Sequence, residues 1–190
     1  MTRPWEIAPT GPAADAVARI AAAVPVIETE RLRLRAPRIG DFGAYAEIVL
    51  SDRWKDESDG TRKDAWLDFC QMVAGWLLRG TGIMAVERRE DCQFLGFTVL
   101  NHEYGDPELE LGWFLNAEAE GHGYATEAAG AYRGHAARTL GLTGLVSYIA
   151  PDNARSARVA ERLGAARDAA AEAAYPDDIL VYRHPGEGRA

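Results

Sequence analysis

Two glycines one residue apart, Gly121 and Gly123, separate an apolar run that reads as a strand, ELELGWFL (108–115), from a run of helix formers, YATEAAGAYRGHAARTLGL (124–142). A Gly-x-Gly at a strand-to-helix junction clears side chains from the first turn of the helix. Backbone N–H groups then converge where the helix dipole favours negative charge. Taken alone, such a turn is shared by dinucleotide sites, nucleotide sites and plain helix starts. A dinucleotide fingerprint needs a third glycine at 126, where Thr126 stands, and an early βαβ unit; a P-loop needs Gly-Lys-Ser/Thr, which is absent.

The sheet that carries this turn is readable from periodicity. ERLRLR (30–35) alternates apolar and basic residues with period two, and Pro37 ends it. Asp41 is placed to cap a helix over DFGAYAEIVLS, and a longer helix, KDAWLDFCQMVAGWLLRG (63–80), sets Trp66, Phe69, Met72, Val73, Trp76 and Leu77 on one apolar face before Gly80 and Gly82. GIMAVERRE, QFLGFTVLNHE and ELELGWFL follow as a predicted antiparallel meander. The helix after the glycine turn closes at Gly141. GLVSYIA is a buried strand, PDNARSARVAERLGA a capped helix and DDILVYRHP a last strand. Helices between late strands require at least one parallel pair. Residues 1–25 stand apart. Ala13 to Val24 forms a short helix stopped by Pro25, an oligomer contact (a possible homodimer) and a loosely held terminus being equal readings.

Composition excludes several classes. A net charge of −8 argues against nucleic acid as a main partner and suits cationic substrates. No run is long and apolar enough to span a bilayer, and residues 1–17 lack the pattern of a secretion signal, so a cytoplasmic protein without membrane association is expected. Cys70 and Cys92 form no CxxC pair and are expected buried and reduced; His102, His122, His135 and His184 form no metal pattern, so no metal is expected.

Glu110 to Trp113 (Glu-aliphatic-Gly-aromatic), Gly121 to Ala128 (GHGYATEA), Asn153 to Ser156 (Asn-x-x-Ser) and Leu163-Gly164 occur in order, and ETERLRLRAPRIGDF (28–42) precedes them. This series resembles the GNAT superfamily of N-acetyltransferases, and within it the branch of the ribosomal-protein alanine N-acetyltransferases. The resemblance covers nearly everything after residue 26. It implies a single domain over 26–190 behind an N-terminal extension, with a mixed α/β fold: a mostly antiparallel, splayed sheet of about six to seven strands flanked by helices. It also implies an acetyl-CoA-dependent N-acetyltransferase acting on a primary amine, either a protein N-terminus or a small molecule.

Site roles follow from the resemblance. The pyrophosphate of acetyl-CoA falls to the backbone of Gly121, His122, Gly123, Tyr124, Ala125 and Thr126. The main chain of Trp113, Phe114 and Leu115 pairs with the pantetheine arm, and Asn153 contacts it. Glu110 takes the ammonium proton directly or through water, and the Ser156 hydroxyl protonates the leaving sulfur, since Ala160 stands where some relatives carry a tyrosine. Plain alternatives remain at this stage: Glu110 as an exposed strand charge, Asp152 or Asn153 and Ser156 as a helix cap, and Arg155 and Arg158 as solvated charges. Glu103, Asp106, Glu108 and Glu110 form an acidic stretch that attracts an ammonium or is simply solvated. Glu120 departs from the Gln or Arg usual at the head of the turn. It leaves open a different class, an acyl-CoA-binding regulator or scaffold that has lost transfer.

Overall fold

The structure, a computed structural model, describes residues 3–53, 60–174 and 178–186. Its centre is an eight-stranded sheet: β1 (Ile27–Glu28), β2 (Leu32–Arg35), β3 (Ile83–Arg88), β4 (Phe94–Asn101), β5 (Glu110–Leu115), β6 (Val146–Ile149), β7 (Ala166–Arg167) and β8 (Leu180–Arg183). The order across the sheet is β1-β2-β3-β4-β5-β6-β8-β7. Every pairing is antiparallel except β5 with β6, which is parallel and touches at one rung, Glu110 to Val146. Beyond that rung the two strands part. The strand count exceeds the expected six to seven because β1 and β7 are two residues each, too short for any periodicity to reveal.

The helices are α1 (Pro12–Ala21), α2 (Phe42–Val49), α3 (Arg62–Leu78), α4 (Tyr124–His135), α5 (Ala154–Arg162) and α6 (Ala169–Ala174). α4 runs on through a wider π-type turn at Ala136–Leu140 and stops at Gly141, whose φ of 68° is left-handed, as the C-cap reading requires. Thr61 opens α3: its hydroxyl accepts the Asp64 N–H while the Asp64 carboxylate accepts the Thr61 N–H. Asp41 behaves differently from expectation. Its carboxylate accepts from the Arg38 amide and pairs with buried Arg35, and it makes no capping bond to α2.

Alternation along the strands divides the core between the two faces of the sheet. Leu32, Leu34, Met84 and Val86 meet Ala128, Ala129 and Tyr132 of α4 on one face. Ile83, Ala85, Phe97 and Val99 meet Phe42, Tyr45, Phe69 and Met72 of α2 and α3 on the other. Leu77 lies off the buried stripe of α3 and is 83% exposed, because one residue past Trp76 turns the side chain about 100° toward solvent. Both cysteines are also exposed, against expectation: Cys70 on the outer face of α3 and Cys92 in the turn between β3 and β4, with a φ of 58°.

α1 buries none of its residues, yet the N-terminal segment is attached at both ends. Val24 enters the core, and Glu6 pairs with Arg62 of α3 at 2.9 Å. Among the described residues no helix is long and apolar enough to cross a membrane. Asp177, the first residue of the expected last strand, lies outside the described residues.

Candidate active site

The glycine turn adopts the geometry its sequence demands. Gly121 and Gly123 both have φ of 79°, a left-handed conformation that other residues adopt only with strain. α4 starts immediately after, and its ladder begins with the Glu127 N–H to the Gly123 carbonyl. The amides of Tyr124, Ala125 and Thr126 therefore precede the helix's own bonds and face a cleft of about 490 Å³ between α4, β5 and α5. Thr126 Oγ1, which lines this cleft, is buried without a hydrogen-bond partner among the described residues. An orphaned donor beside open amides at a helix N-terminus fits an anionic group. Four arginines also line the cleft: Arg53, Arg155, Arg158 and Arg162.

Glu120 lines the same cleft and is held by two of these arginines. Arg53 Nη2 reaches one of its oxygens at 2.5 Å and Arg155 Nη1 the other at 3.0 Å. Arg53 went unnoticed in the sequence because 67 positions separate it from Glu120 and no local pattern marks it.

A second unforeseen group fastens the turn from behind. Glu127 accepts from the Thr29 hydroxyl at 2.5 Å, from the Arg31 amide at 3.1 Å and from Arg31 Nε at 2.7 Å. Arg31 also donates to the His122 carbonyl at 3.0 Å and lies 4.7 Å from the centroid of the Tyr124 ring. Burial alone would push the Glu127 carboxyl up, but the Thr29 and Arg31 donors hold it below the ordinary range. The opening TERLRL segment and the glycine turn, distant in sequence, are thus one unit. His122 itself lines neither cleft; its carbonyl is spent on Arg31 and its ring packs beside Tyr124.

β5 presents its main chain in alternation. The Asn116 N–H to Leu95 O bond and the register with β4 turn the main-chain groups of Glu110, Gly112 and Phe114 toward β4. Those of Leu111, Trp113 and Leu115 face the splay: Ser147 Oγ donates to Leu111 O at 2.5 Å and Arg53 to Leu115 O at 3.1 Å. The main chains of Trp113 and Leu115 therefore stand outside the β4 ladder, whereas Phe114, expected to share their role, is a correction. Its backbone belongs to the β4 ladder and its side chain to a second cleft.

This second cleft, about 770 Å³, lies on the α2–α3 side, and Trp113, Asn153 and Ser156 line both clefts. Glu110 lines only the second. The strand is regular over 110–115, so Glu110 is half-buried on the face shared with Gly112 and Phe114, opposite Trp113. Asn153 caps α5, its Oδ1 accepting the Ser156 N–H at 3.0 Å, which sets Ser156 in the first turn beside the junction of the clefts. The buried Ala160 follows one turn later. Of the acidic stretch, Glu108 is bound in both oxygens by Arg183 at 2.7 and 2.8 Å, while Glu103, Asp106 and Glu110 line the second cleft. Among the described residues no group of three or more His, Cys, Asp or Glu side chains is arranged to hold a metal.

A helix start with open amides, an edge of strand exposed by a splay, and a second cleft meeting the first at that edge make up the site. Residues 31–166 match the acetyltransferase (GNAT) domain family, and the chain belongs to that family. It is 40% identical to an acetyltransferase structure from Agrobacterium tumefaciens, with a TM-score of 0.80 over 85% of this chain and 94% of that one. A RimL ribosomal alpha-N-protein acetyltransferase in complex with coenzyme A shares the fold at 19% identity, with a TM-score of 0.65 over 85% of this chain and 98% of that one. The uncharacterized N-acetyltransferase YnaD of Bacillus subtilis is 32% identical over 81 residues, which span 43% of this chain and 47% of that protein.

Proposed function

We propose that the chain is an acetyl-CoA-dependent N-acetyltransferase that moves an acetyl group to a primary amine by direct attack on the thioester. The observation that carries this reading is the meeting of the two clefts at Trp113, Asn153 and Ser156, with the phosphate-binding turn in one and Glu110 in the other. The amides of Tyr124, Ala125 and Thr126, with the Thr126 hydroxyl, hold the pyrophosphate. The main chain of Trp113 and Leu115 pairs with the pantetheine arm, and a main-chain N–H at the splay polarises the thioester carbonyl. Glu110 accepts a proton from the incoming ammonium, directly or through one water. The free amine forms the C–N bond, the C–S bond breaks, and the Ser156 hydroxyl gives its proton to the CoA sulfur and regains one from the acylated nitrogen, leaving a neutral amide and a thiol. Presence of both catalytic side chains favours transfer over a role in binding alone.

Calorimetry with acetyl-CoA, followed by thiol release over a panel of amines, tests the reading. Ser156→Ala and Glu110→Gln are expected to lower kcat by about 10²-fold or more while leaving acetyl-CoA affinity nearly intact. Unchanged turnover in both variants would sink the assignment. Tight binding of acetyl-CoA with no acceptor-dependent thiol release across peptides, polyamines and aminoglycosides would instead make the protein a cofactor-binding regulator.

A further inference from the structure

The second cleft differs in charge from the first. Among the described residues its walls carry six carboxylates, Asp64, Asp68, Glu103, Asp106, Glu110 and Asp178, and no lysine or arginine, whereas four arginines line the cofactor cleft. Several carboxylates elsewhere meet cations: Glu87, Glu108, Glu120 and Glu127 each bond to an arginine. Among the described residues, Asp68 and Glu103 have only neutral donors. The Tyr45 hydroxyl donates to Asp68, and Asn101 Nδ2 donates to Glu103 at 3.0 Å. Burial pushes the Asp68 carboxyl up; Glu103, at the solvent-facing rim of the cleft, is pushed up by partial desolvation and then by the charges of Asp68 and Asp106. Among the described residues neither carboxylate meets a cation, so a positive ligand between them would meet two charges that neutral donors leave uncompensated. Met72, Val99 and Phe114 line the same cleft and offer apolar surface to a hydrocarbon stem.

We propose that the acceptor is a small aliphatic amine bearing a second cationic nitrogen, and that Asp68 and Glu103 seat this second nitrogen while the first is acetylated beside Glu110 and Ser156. The proposal rests on the transferase reading above and names the substrate class for it. Acids on one side, an apolar wall and the thioester junction on the other match a flexible diamine or linear polyamine. A free amino acid would bring its carboxylate into the acidic wall and be repelled.

The test is thiol release from the full chain at saturating acetyl-CoA, comparing propane- to hexane-diamines and a linear triamine with monoamines of equal length and with a peptide bearing a free N-terminus. Diamines are expected to exceed the matched monoamines at least about tenfold in kcat/KM, mainly through KM. Asp68→Asn and Glu103→Gln, singly and together, should raise the diamine KM toward the monoamine value; Glu103 is exposed and its substitution is compatible with folding, which melting curves check. Calorimetric binding of the triamine should weaken in the same variants. Equal kcat/KM for diamine and monoamine, or peptides outrunning diamines, would overturn the proposal and leave the transferase reading intact. Triamine binding that depends on Asp68 and Glu103, without acetylation of any amine, would overturn the transferase reading and leave the cation site standing.

Discussion

His184 is 3% exposed beyond the end of β8, with Nε2 2.9 Å from Ser147 Oγ. Because the Ser147 hydroxyl donates to Leu111 O, its oxygen accepts from Nε2–H of a neutral imidazole. In a continued parallel ladder a main-chain donor from β6 would reach that carbonyl; at the splay the Ser147 hydroxyl takes its place. Burial, and then the nearby Arg133 charge, hold the His184 pKa down at about 4 against 6.5 for the free side chain. The unfolded chain therefore takes up a proton that the native state refuses. Stability from this group is whole above pH 6.5, falls as the pH drops below it, and levels off under pH 4, a total loss of about 3 kcal/mol. Urea titrations across that window should show a steeper loss for the natural chain than for His184→Gln. Equal slopes would mean that His184 is protonated in the native state.

At the scale of elements, β4 carries a bulge that the expected regular meander lacks. Its register against β3 slips between Val86 and Glu87, and Gly96 takes a φ of 143°. The slip reverses the alternation, so Leu95 faces α4 while Phe97 faces α2 and α3. A Cβ on Gly96 would stand 2.1 Å from Phe114 O and 2.7 Å from Leu115 Cα, both backbone atoms of the strand that borders the cofactor cleft. Gly96→Ala is expected to cost about 3 kcal/mol or more and lower the melting temperature by roughly 10 °C, with weaker acetyl-CoA binding from the displaced β5. A variant that melts as the natural chain does would show that β5 can yield. The Arg31–Glu127 unit belongs to this scale as well, since it joins the β1–β2 turn to the first turn of α4.

Across the whole molecule, a net charge of −8 conceals a partition: arginines gather at the first cleft and carboxylates at the second. On the proposed reading, an anionic co-substrate and a cationic acceptor would be drawn to adjoining places that meet at Trp113, Asn153 and Ser156. Glu120 tempers the first of these fields by engaging Arg53 and Arg155. Acetyl-CoA affinity should fall with added salt. Glu120→Gln should tighten it a few-fold, in keeping with exposed ion pairs of about 1 kcal/mol or less. Weaker binding in that variant would show instead that Glu120 holds the two arginines in their working positions.

What the sequence determined alone is local in origin. The left-handed glycines at 121, 123 and 141, the Asn153 cap, the main strand runs and the order of the four motifs depend on φ preferences, short-range hydrogen bonds and periodicity, all of which neighbouring residues set. The family, and most of the residues that line the first cleft, were legible for that reason. Only the tertiary structure decided which main-chain groups of β5 face the splay, that Phe114 does not, and that Arg53 answers Glu120. It likewise decided that Arg31 fastens the turn through Glu127 and that Asp68 joins Glu103 in one cleft. These depend on ladder phase, a bulge at Gly96 and contacts across tens of residues, where the pairing of side chains is fixed by topology and no short window of sequence contains both partners.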